Sequence, residues 1–373
     1  MNTVILKSDN NYYEFDNYLK ENDIKKIFVV ALNDIDNLDI GKHLKEIVGI
    51  EIKIFQDFVP NPTYESVVDG VREFKKFDSK VIMAIGGGSA MDVAKCIKLF
   101  SNMDDSENYL TQPVLDNDVK LMAVPTTAGT GSEATKFAVI YYQGEKQSIT
   151  HDSIIPSVVL FDPKSLITLP LYQKKVTMLD ALSHALESYW SINSTSESMK
   201  YSKEAIKLII DNYQNYLNND ITAMNNMLKA ANIAGKAINI SRTTAGHAMC
   251  YKLTSLYKIP HGHATGLTNA VLIPFMIDNI HLCIDERGEN HLLKVFDEIS
   301  SIIGVNVKFF LADLLEELSL YDIDIYSFDI ELLSKSVNLT RLKNHPIKLD
   351  ENNIKLLYSQ ILDKIKKGNK HGS

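Results

Sequence analysis

Val81-Ile82-Met83-Ala84-Ile85-Gly86-Gly87-Gly88-Ser89-Ala90-Met91-Asp92-Val93-Ala94-Lys95 decides the fold. Five apolar residues without polar alternation predict a strand buried on both faces. The three glycines turn that strand directly into a helical pattern running from Ala90 to Phe100. Strand, glycine turn and helix form the repeating unit of a parallel sheet. Backbone amides at such a turn can receive a pyrophosphate. Glycine permits close approach there, and Ser89 is placed to cap the helix while donating to a phosphate oxygen. Alone, the run is also readable as a tight turn with no ligand.

Working outward, Ile27-Phe28-Val29-Val30-Ala31, Ile52-Lys53-Ile54-Phe55 and Leu121-Met122-Ala123-Val124 read as further strands, and Tyr64 to Phe77 as a helix between them. Residues 1–165 are therefore expected to form an α/β N-terminal domain with a parallel, Rossmann-like sheet. A second loop, Pro125-Thr126-Thr127-Ala128-Gly129-Thr130-Gly131-Ser132-Glu133, also follows a strand and is dense in glycines and hydroxyls. Ligands of open parallel sheets bind beyond the carboxyl ends of the strands, so both loops would border one crevice. After Val29-Val30-Ala31 the chain reads Leu32-Asn33-Asp34, with no acid directly at the strand end, which leaves NADH and NADPH both open.

From Pro170 the pattern changes to long amphipathic segments, Met199 to Leu217 and Ile221 to Ile240, which predict an all-α C-terminal domain over 166–373. Asp162-Pro163 and Leu169-Pro170 punctuate the change. The last eight residues, Lys366 to Ser373, read as a frayed polar tail. At 373 residues the chain suits two domains, and 45% hydrophobic with 23% charged residues is the balance of a globular enzyme. A net charge of −8 argues against a nucleic-acid partner, because phosphate binding needs a basic face. Small molecules are the expected partners. Cys96, Cys250 and Cys283 stand singly, which suits a reducing, cytoplasmic setting. Neither a signal segment nor an apolar run of roughly 18 residues is seen, so no membrane is expected.

Asp180-Ala181-Leu182-Ser183-His184 places a carboxylate and an imidazole one helical turn apart on one face. Taken alone, such a pair is more often a surface pair or a hydrogen-bonded core histidine. Ala245-Gly246-His247-Ala248 and Ile259-Pro260-His261-Gly262-His263 raise the count to three imidazoles and one carboxylate, a mixed set suited to Fe²⁺ or Zn²⁺. His247 and His261 lie 14 residues apart, so the chain must fold back, and Pro260 with Gly262 permits that return.

These segments together resemble the iron-containing alcohol dehydrogenase family. The marks occur in the family's order: Gly86 to Lys95, Pro125 to Glu133, Asp180 to Glu187, His247, and Pro260-His261-Gly262, with Asn61-Pro62-Thr63 and Asn344-His345-Pro346 as lesser ones. The resemblance spans roughly residues 20 to 365. It implies a dehydroquinate synthase-like two-domain architecture, a metal in the cleft, and a homodimer or larger homo-oligomer. It implies Asp180, His184, His247 and His261 as metal ligands. The implied cofactor contacts are Asn61, Gly87, Gly88, Ser89, Asp92, Thr126, Thr127, Thr130 and Lys146. Many members carry a histidine four residues after the position of His247, where it is thought to help proton transfer. Here that residue is Tyr251, whose hydroxyl could relay the proton or whose ring could simply pack.

The implied chemistry is aldehyde reduction, or alcohol oxidation in reverse, with the ion polarising the carbonyl and hydride coming from NADH or NADPH. Lys136, Arg242, Lys252 and His263 lie near the motifs in sequence and would suit an anionic substrate group. Thr243 to Ser255, with His261-Gly262-His263-Ala264, looks most like the branch containing phosphonoacetaldehyde reductases. That implies reduction of phosphonoacetaldehyde to 2-hydroxyethylphosphonate, or of sulfoacetaldehyde. The alternatives are a general primary alcohol or diol dehydrogenase, a dehydroquinate synthase-like lyase, and a nucleotide-binding protein without catalysis.

Overall fold

The computed structural model describes residues 3–8, 11–32, 34–337 and 342–371. Six strands, β1 (Val4–Lys7), β2 (Lys26–Ala31), β3 (Glu51–Phe55), β4 (Val81–Gly86), β5 (Lys120–Pro125) and β8 (Val158–Phe161), form one sheet in the order β1-β8-β5-β4-β2-β3. Every pairing in it is parallel. Between β5 and β8 the chain makes an antiparallel hairpin, β6 (Phe137–Tyr142) and β7 (Glu145–Thr150). Burial follows position: β4 is buried at every residue, whereas the edge strand β3 alternates and exposes Glu51 and Lys53. The strands β1 and β8 and the hairpin were not anticipated. The first and last of these are poorly covered, and Val158–Phe161 is only four residues long.

Helices α1 (Tyr13–Glu21), α2 (Asp39–Glu46), α3 (Tyr64–Phe77) and α4 (Gly88–Phe100) connect the strands. Thr63 caps α3 by accepting from the Ser66 amide. At α4 the strand passes into the helix so abruptly that Gly87, not Ser89, is the cap residue. Ser89 lies within the first turn, so the expected serine cap does not form, and the first amides of α4 have no side-chain cap. The register pairs Gly86 with Pro125, which sets the two glycine-rich loops side by side at adjacent strand ends.

The remaining chain is helical: α5 (Leu171–Trp190), α6 (Ser196–Leu217), α7 (Ile221–Ser241), α8 (Ala245–Tyr257), α9 (His261–Asp278), α10 (Glu289–Ile303), α11 (Val307–Glu317), α12 (Ile330–Lys335) and α13 (Glu351–His371). By proximity the chain forms two compact units, Met1–Leu169 with Asn218–Asn232, and Pro170–Leu217 with Ile233–Ser373. The opening turns of α7 thus group with the first unit. In the second, α5 is buried continuously from Met178 to Trp190, so it is a central helix and not an amphipathic cover. The expected tail is instead helical through His371, anchored by buried Leu357, Tyr358, Ile361 and Ile365, while Gly372 and Ser373 lie outside the described residues. No described helix is long and apolar enough to cross a membrane.

One buried charge ties the first unit together. Lys95 of α4 has no exposed surface, and its Nζ donates to Ser132 Oγ (3.0 Å), Thr135 Oγ1 (3.2 Å), and the carbonyls of Thr135 and Phe137 (both 2.8 Å). Burial pushes its ammonium below the ordinary lysine range, against the opposing pull of Asp92 and Glu133. Removing such a cation strands several buried acceptors and leaves nearby carboxylates without a counter-charge. Lys95→Met is therefore expected to lower the free energy of unfolding by about 3 to 5 kcal/mol, read from urea denaturation.

Candidate functional site

Two groupings of the candidate residues emerge, one in each compact unit. In the first unit, the strand register brings the glycine-rich loops into contact. A Cβ on Gly87 would sit 3.3 Å from Thr127, and one on Gly88 would sit 3.2 Å from Thr130. Asn61, in the left-handed backbone region, donates its amide to Ser89 Oγ at 3.4 Å. Thr126 donates its amide to the Gly86 carbonyl. Asp92 accepts from the Val139 amide and is close enough to Lys95 and Lys146 to feel both charges. All nine candidate nucleotide residues thus fall on or beside the carboxyl ends of β4 and β5 or the hairpin next to them, around an uncapped helix N-terminus.

The second unit builds its site on α5. Residues four and seven apart turn by about 400° and 700°, so Asp180, His184 and Glu187 share a stripe about 60° wide. Helices α8 and α9 bring His247 and His261 to the same stripe. His247 Nε2 lies 3.6 Å, His261 Nε2 3.7 Å and His184 Nε2 3.9 Å from a single atom, Asp180 Oδ1. Four donors held tetrahedrally by bonds of about 2.1 Å stand about 3.4 Å apart, a spacing that Asp180, His247 and His261 approach, with His184 somewhat farther out. Asp180, His247 and His261 form the tightest part, with donor atoms within 4.8 Å of one another. Asp180 Oδ1 and His247 Nε2 are buried without a hydrogen-bond partner among the described residues. Such atoms are costly unless something else satisfies them, and the donor set fits Fe²⁺ or Zn²⁺.

Two glycines make the cage possible. A Cβ on Gly262, beside His261, would lie 2.0 Å from the Val176 carbonyl oxygen and 2.8 Å from Asp180 Cβ. A Cβ on Gly246, beside His247, would lie 2.2 Å from Asn269 Oδ1 and 2.4 Å from Glu187 Oε1. Only glycine lets α9 approach the α5 backbone this closely, and only glycine leaves room on α8 for the Glu187 and Asn269 side chains.

Burial alone would raise both carboxyls of α5, but the surrounding groups win. His184, His247 and His261 hold Asp180 well below the usual carboxylate range, and His247 with its neighbouring donors brings Glu187 down to about 2. Burial depresses His247, yet Glu187 and Asp180 more than offset it and raise the imidazole to about 9. The cluster therefore asks for positive charge, supplied by a proton or by a metal cation in its place.

Tyr251 stacks on His261, with ring centroids 5.7 Å apart and planes 23° apart, which puts it beside the cage. The candidate anion-binding residues have different local settings. His263 is buried, with Nε2 donating to the Leu320 carbonyl (2.6 Å) and Nδ1 facing the Tyr172 hydroxyl (2.9 Å). Burial lowers it to about 4, so it is a neutral, fully committed ring and not an anion contact. Lys136 pairs with Asp152 at 3.1 Å. Arg242 and Lys252 are exposed, and Lys252 sits about 140° round α8 from His247.

Sequence reasoning gave no role to Glu187, Lys95, Cys250 or Asn269. The first had a signal, since it continues the α5 stripe; the others needed the fold. Cys250 Sγ lies 3.4 Å from His261 Nδ1 and 3.3 Å from the His247 carbonyl, so its thiol backs the second histidine.

Comparison with known proteins matches residues 2–163 to the iron-containing alcohol dehydrogenase family and residues 174–362 to the C-terminal Fe-containing alcohol dehydrogenase family. Aldehyde-alcohol dehydrogenase 2 of Entamoeba histolytica is 32% identical over 281 residues, covering 70% of this chain and 32% of that protein. Phosphonoacetaldehyde reductase of Streptomyces viridochromogenes is 30% identical over 260 residues, 65% of each. The chain thus spans about a third of the length of the first relative and less than two thirds of the second. The crystal structure of sulfoacetaldehyde reductase from Bifidobacterium kashiwanohense in complex with NAD⁺ superposes with a TM-score of 0.84 at 25% identity, covering 96% of this chain and 97% of that one. A parallel-sheet α/β unit followed by a helical unit is the fold these structures share.

The close helix approach gives a direct test. Gly262→Ala forces a methyl group against the Val176 carbonyl, which cannot yield without moving α9. The expected loss is about 3 kcal/mol or more of unfolding free energy, measured by urea denaturation.

Proposed function

We propose that this chain, which belongs to the iron-containing alcohol dehydrogenase family, is a metal-dependent, NAD(P)H-linked reductase of small aldehydes. The observation that carries the reading is the convergence of three buried or half-buried imidazoles on one unpartnered carboxylate oxygen of Asp180. When bound, the divalent ion supplies Lewis acidity toward a carbonyl oxygen, and the nicotinamide supplies hydride. Asp180, His184, His247 and His261 hold the ion, Fe²⁺ or Zn²⁺. Asn61, Gly87, Gly88, Ser89, Asp92, Thr126, Thr127, Thr130 and Lys146 hold NADH or NADPH, with the pyrophosphate on the uncapped start of α4. Tyr251, stacked on His261, would be the proton relay to the substrate oxygen.

The finer reading is an anionic aldehyde, phosphonoacetaldehyde or sulfoacetaldehyde. Similarity to reductases named for those two substrates supports it. A plain primary alcohol or diol dehydrogenase is favoured instead by the neutral, committed His263 and the paired Lys136. Single, unbridged cysteines suit the cytoplasm, and the family resemblance supports a homodimer or larger homo-oligomer.

A panel of aldehydes at equal concentration, with NADH and NADPH in turn, separates the readings. A higher kcat/KM for phosphonoacetaldehyde or sulfoacetaldehyde than for propanal or butanal is expected; the reverse order makes the plain alcohol reading correct. No stoichiometric NAD(P)H consumption with any aldehyde would overturn the reductase itself. In the same preparation, His184→Ala and His261→Ala should each lose most bound metal in elemental analysis after anaerobic purification. Full occupancy in either removes that histidine from the ligand set.

A further inference from the structure

We infer that Glu187 is the positioning residue that makes His247 a ligand, by fixing which of its ring nitrogens carries the proton. The inference rests on the metal reading proposed above and deepens it. Glu187 is completely buried on α5, one turn beyond His184. Every polar group that reaches it is a donor. Its Oε1 accepts from His247 Nδ1 (2.6 Å) and Asn269 Nδ2 (3.0 Å), and its Oε2 accepts from the Thr244 amide (2.6 Å), the Thr244 hydroxyl (2.8 Å) and the His247 amide (3.4 Å).

An ionised carboxylate offers only acceptors, so the short contact to Nδ1 requires the hydrogen on Nδ1. The lone pair of His247 is then confined to Nε2, the atom that faces Asp180 Oδ1 at 3.6 Å. A metal-binding histidine needs this division, with one nitrogen donating to an outer partner and the other free for the ion. Thr244 and Asn269 hold the carboxylate in place. Thr244 Oγ1 is itself fixed by accepting from Trp190 Nε1 at 3.1 Å. Gly246 completes the arrangement, because a Cβ there would stand 2.4 Å from Glu187 Oε1 and push the carboxylate away from the ring.

The surrounding donors make the isosteric amide informative. In Glu187→Gln one oxygen becomes an NH₂ group, which must face either His247 and Asn269 or the Thr244 amide. In the first orientation it repels Nδ1–H and favours the tautomer whose Nε2 is blocked by hydrogen. In the second it loses the anchor that holds the side chain against the ring.

The test uses the full-length protein loaded with Zn²⁺, which is diamagnetic. Chelator competition should show Glu187→Gln binding Zn²⁺ about 10- to 100-fold more weakly than the unaltered protein, with the far-ultraviolet circular dichroism spectrum unchanged. ¹⁵N-histidine NMR of the unaltered Zn²⁺ form should show His247 protonated at Nδ1 and coordinated through Nε2. Thr244→Val, which removes the hydroxyl donor to Glu187 together with the acceptor of Trp190 Nε1, should weaken Zn²⁺ binding by a smaller factor, and it decides the matter if Glu187→Gln does not fold. Unchanged affinity in a folded Glu187→Gln protein, or coordination of His247 through Nδ1, overturns the inference while leaving the metal reading intact. An unaltered protein that takes up neither Fe²⁺ nor Zn²⁺ overturns both.

Discussion

The close approach of α9 to α5 is the constraint on which the candidate metal cage depends. Backbone passes within reach of backbone there: a single carbon added at Gly262 would lie 2.0 Å from a carbonyl oxygen of α5. Helices separated by ordinary side chains stand 8 to 10 Å apart, and histidines on such helices would reach Asp180 only through extended, mobile rotamers. With glycine at the contact, His261 instead begins close to the α5 stripe. The glycines beside the two histidines therefore have a steric reason to be there, independent of any conformational freedom they confer.

Two carboxylates on one face of a buried helix would ordinarily be a liability. Here each is answered differently. Glu187 is surrounded by five donor groups and is fully satisfied inside the protein, whereas Asp180 keeps an oxygen that no described donor reaches. Burial without a partner costs several kcal/mol for a charged group, so the structure concentrates its unmet demand for positive charge at one atom. The imidazoles converge on that atom. A single satisfied acid and a single unsatisfied one, seven residues apart, separate support from binding along one helix.

How much of this was legible in the sequence depends on whether the signal was local. The strands β2, β3, β4 and β5 and the helix α3 were readable because apolar runs and helical periodicity are properties of short windows. Asp180 and His184 were readable for the same reason, since their spacing is helical. His247 and His261 could be named only as candidates, because their meeting depends on α8 and α9 folding back onto α5. The edge strand β1, exposed at three of its four residues, left too weak a pattern to read, whereas β8, Val158–Phe161, is a buried apolar run that the reading passed over. His263 shows what proximity in sequence leaves out: it lies beside the His261 motif, but both of its ring nitrogens are committed inside the protein.

His247 and His263 illustrate why residue type alone cannot settle a role. Both are buried imidazoles on neighbouring helices of the same unit. His263 meets a carbonyl on one nitrogen and a hydroxyl on the other, so a neutral ring satisfies everything and nothing remains for a ligand. His247 meets a carboxylate on one nitrogen and leaves the other facing Asp180 without a hydrogen bond. The partner at one ring nitrogen decides what the opposite nitrogen can do. Lys95 obeys the same logic in the first unit, where four acceptors consume its hydrogens and leave a buried cation that fastens the loop beside the glycine-rich turns and offers nothing to a ligand. In both units the fully partnered charge acts as support.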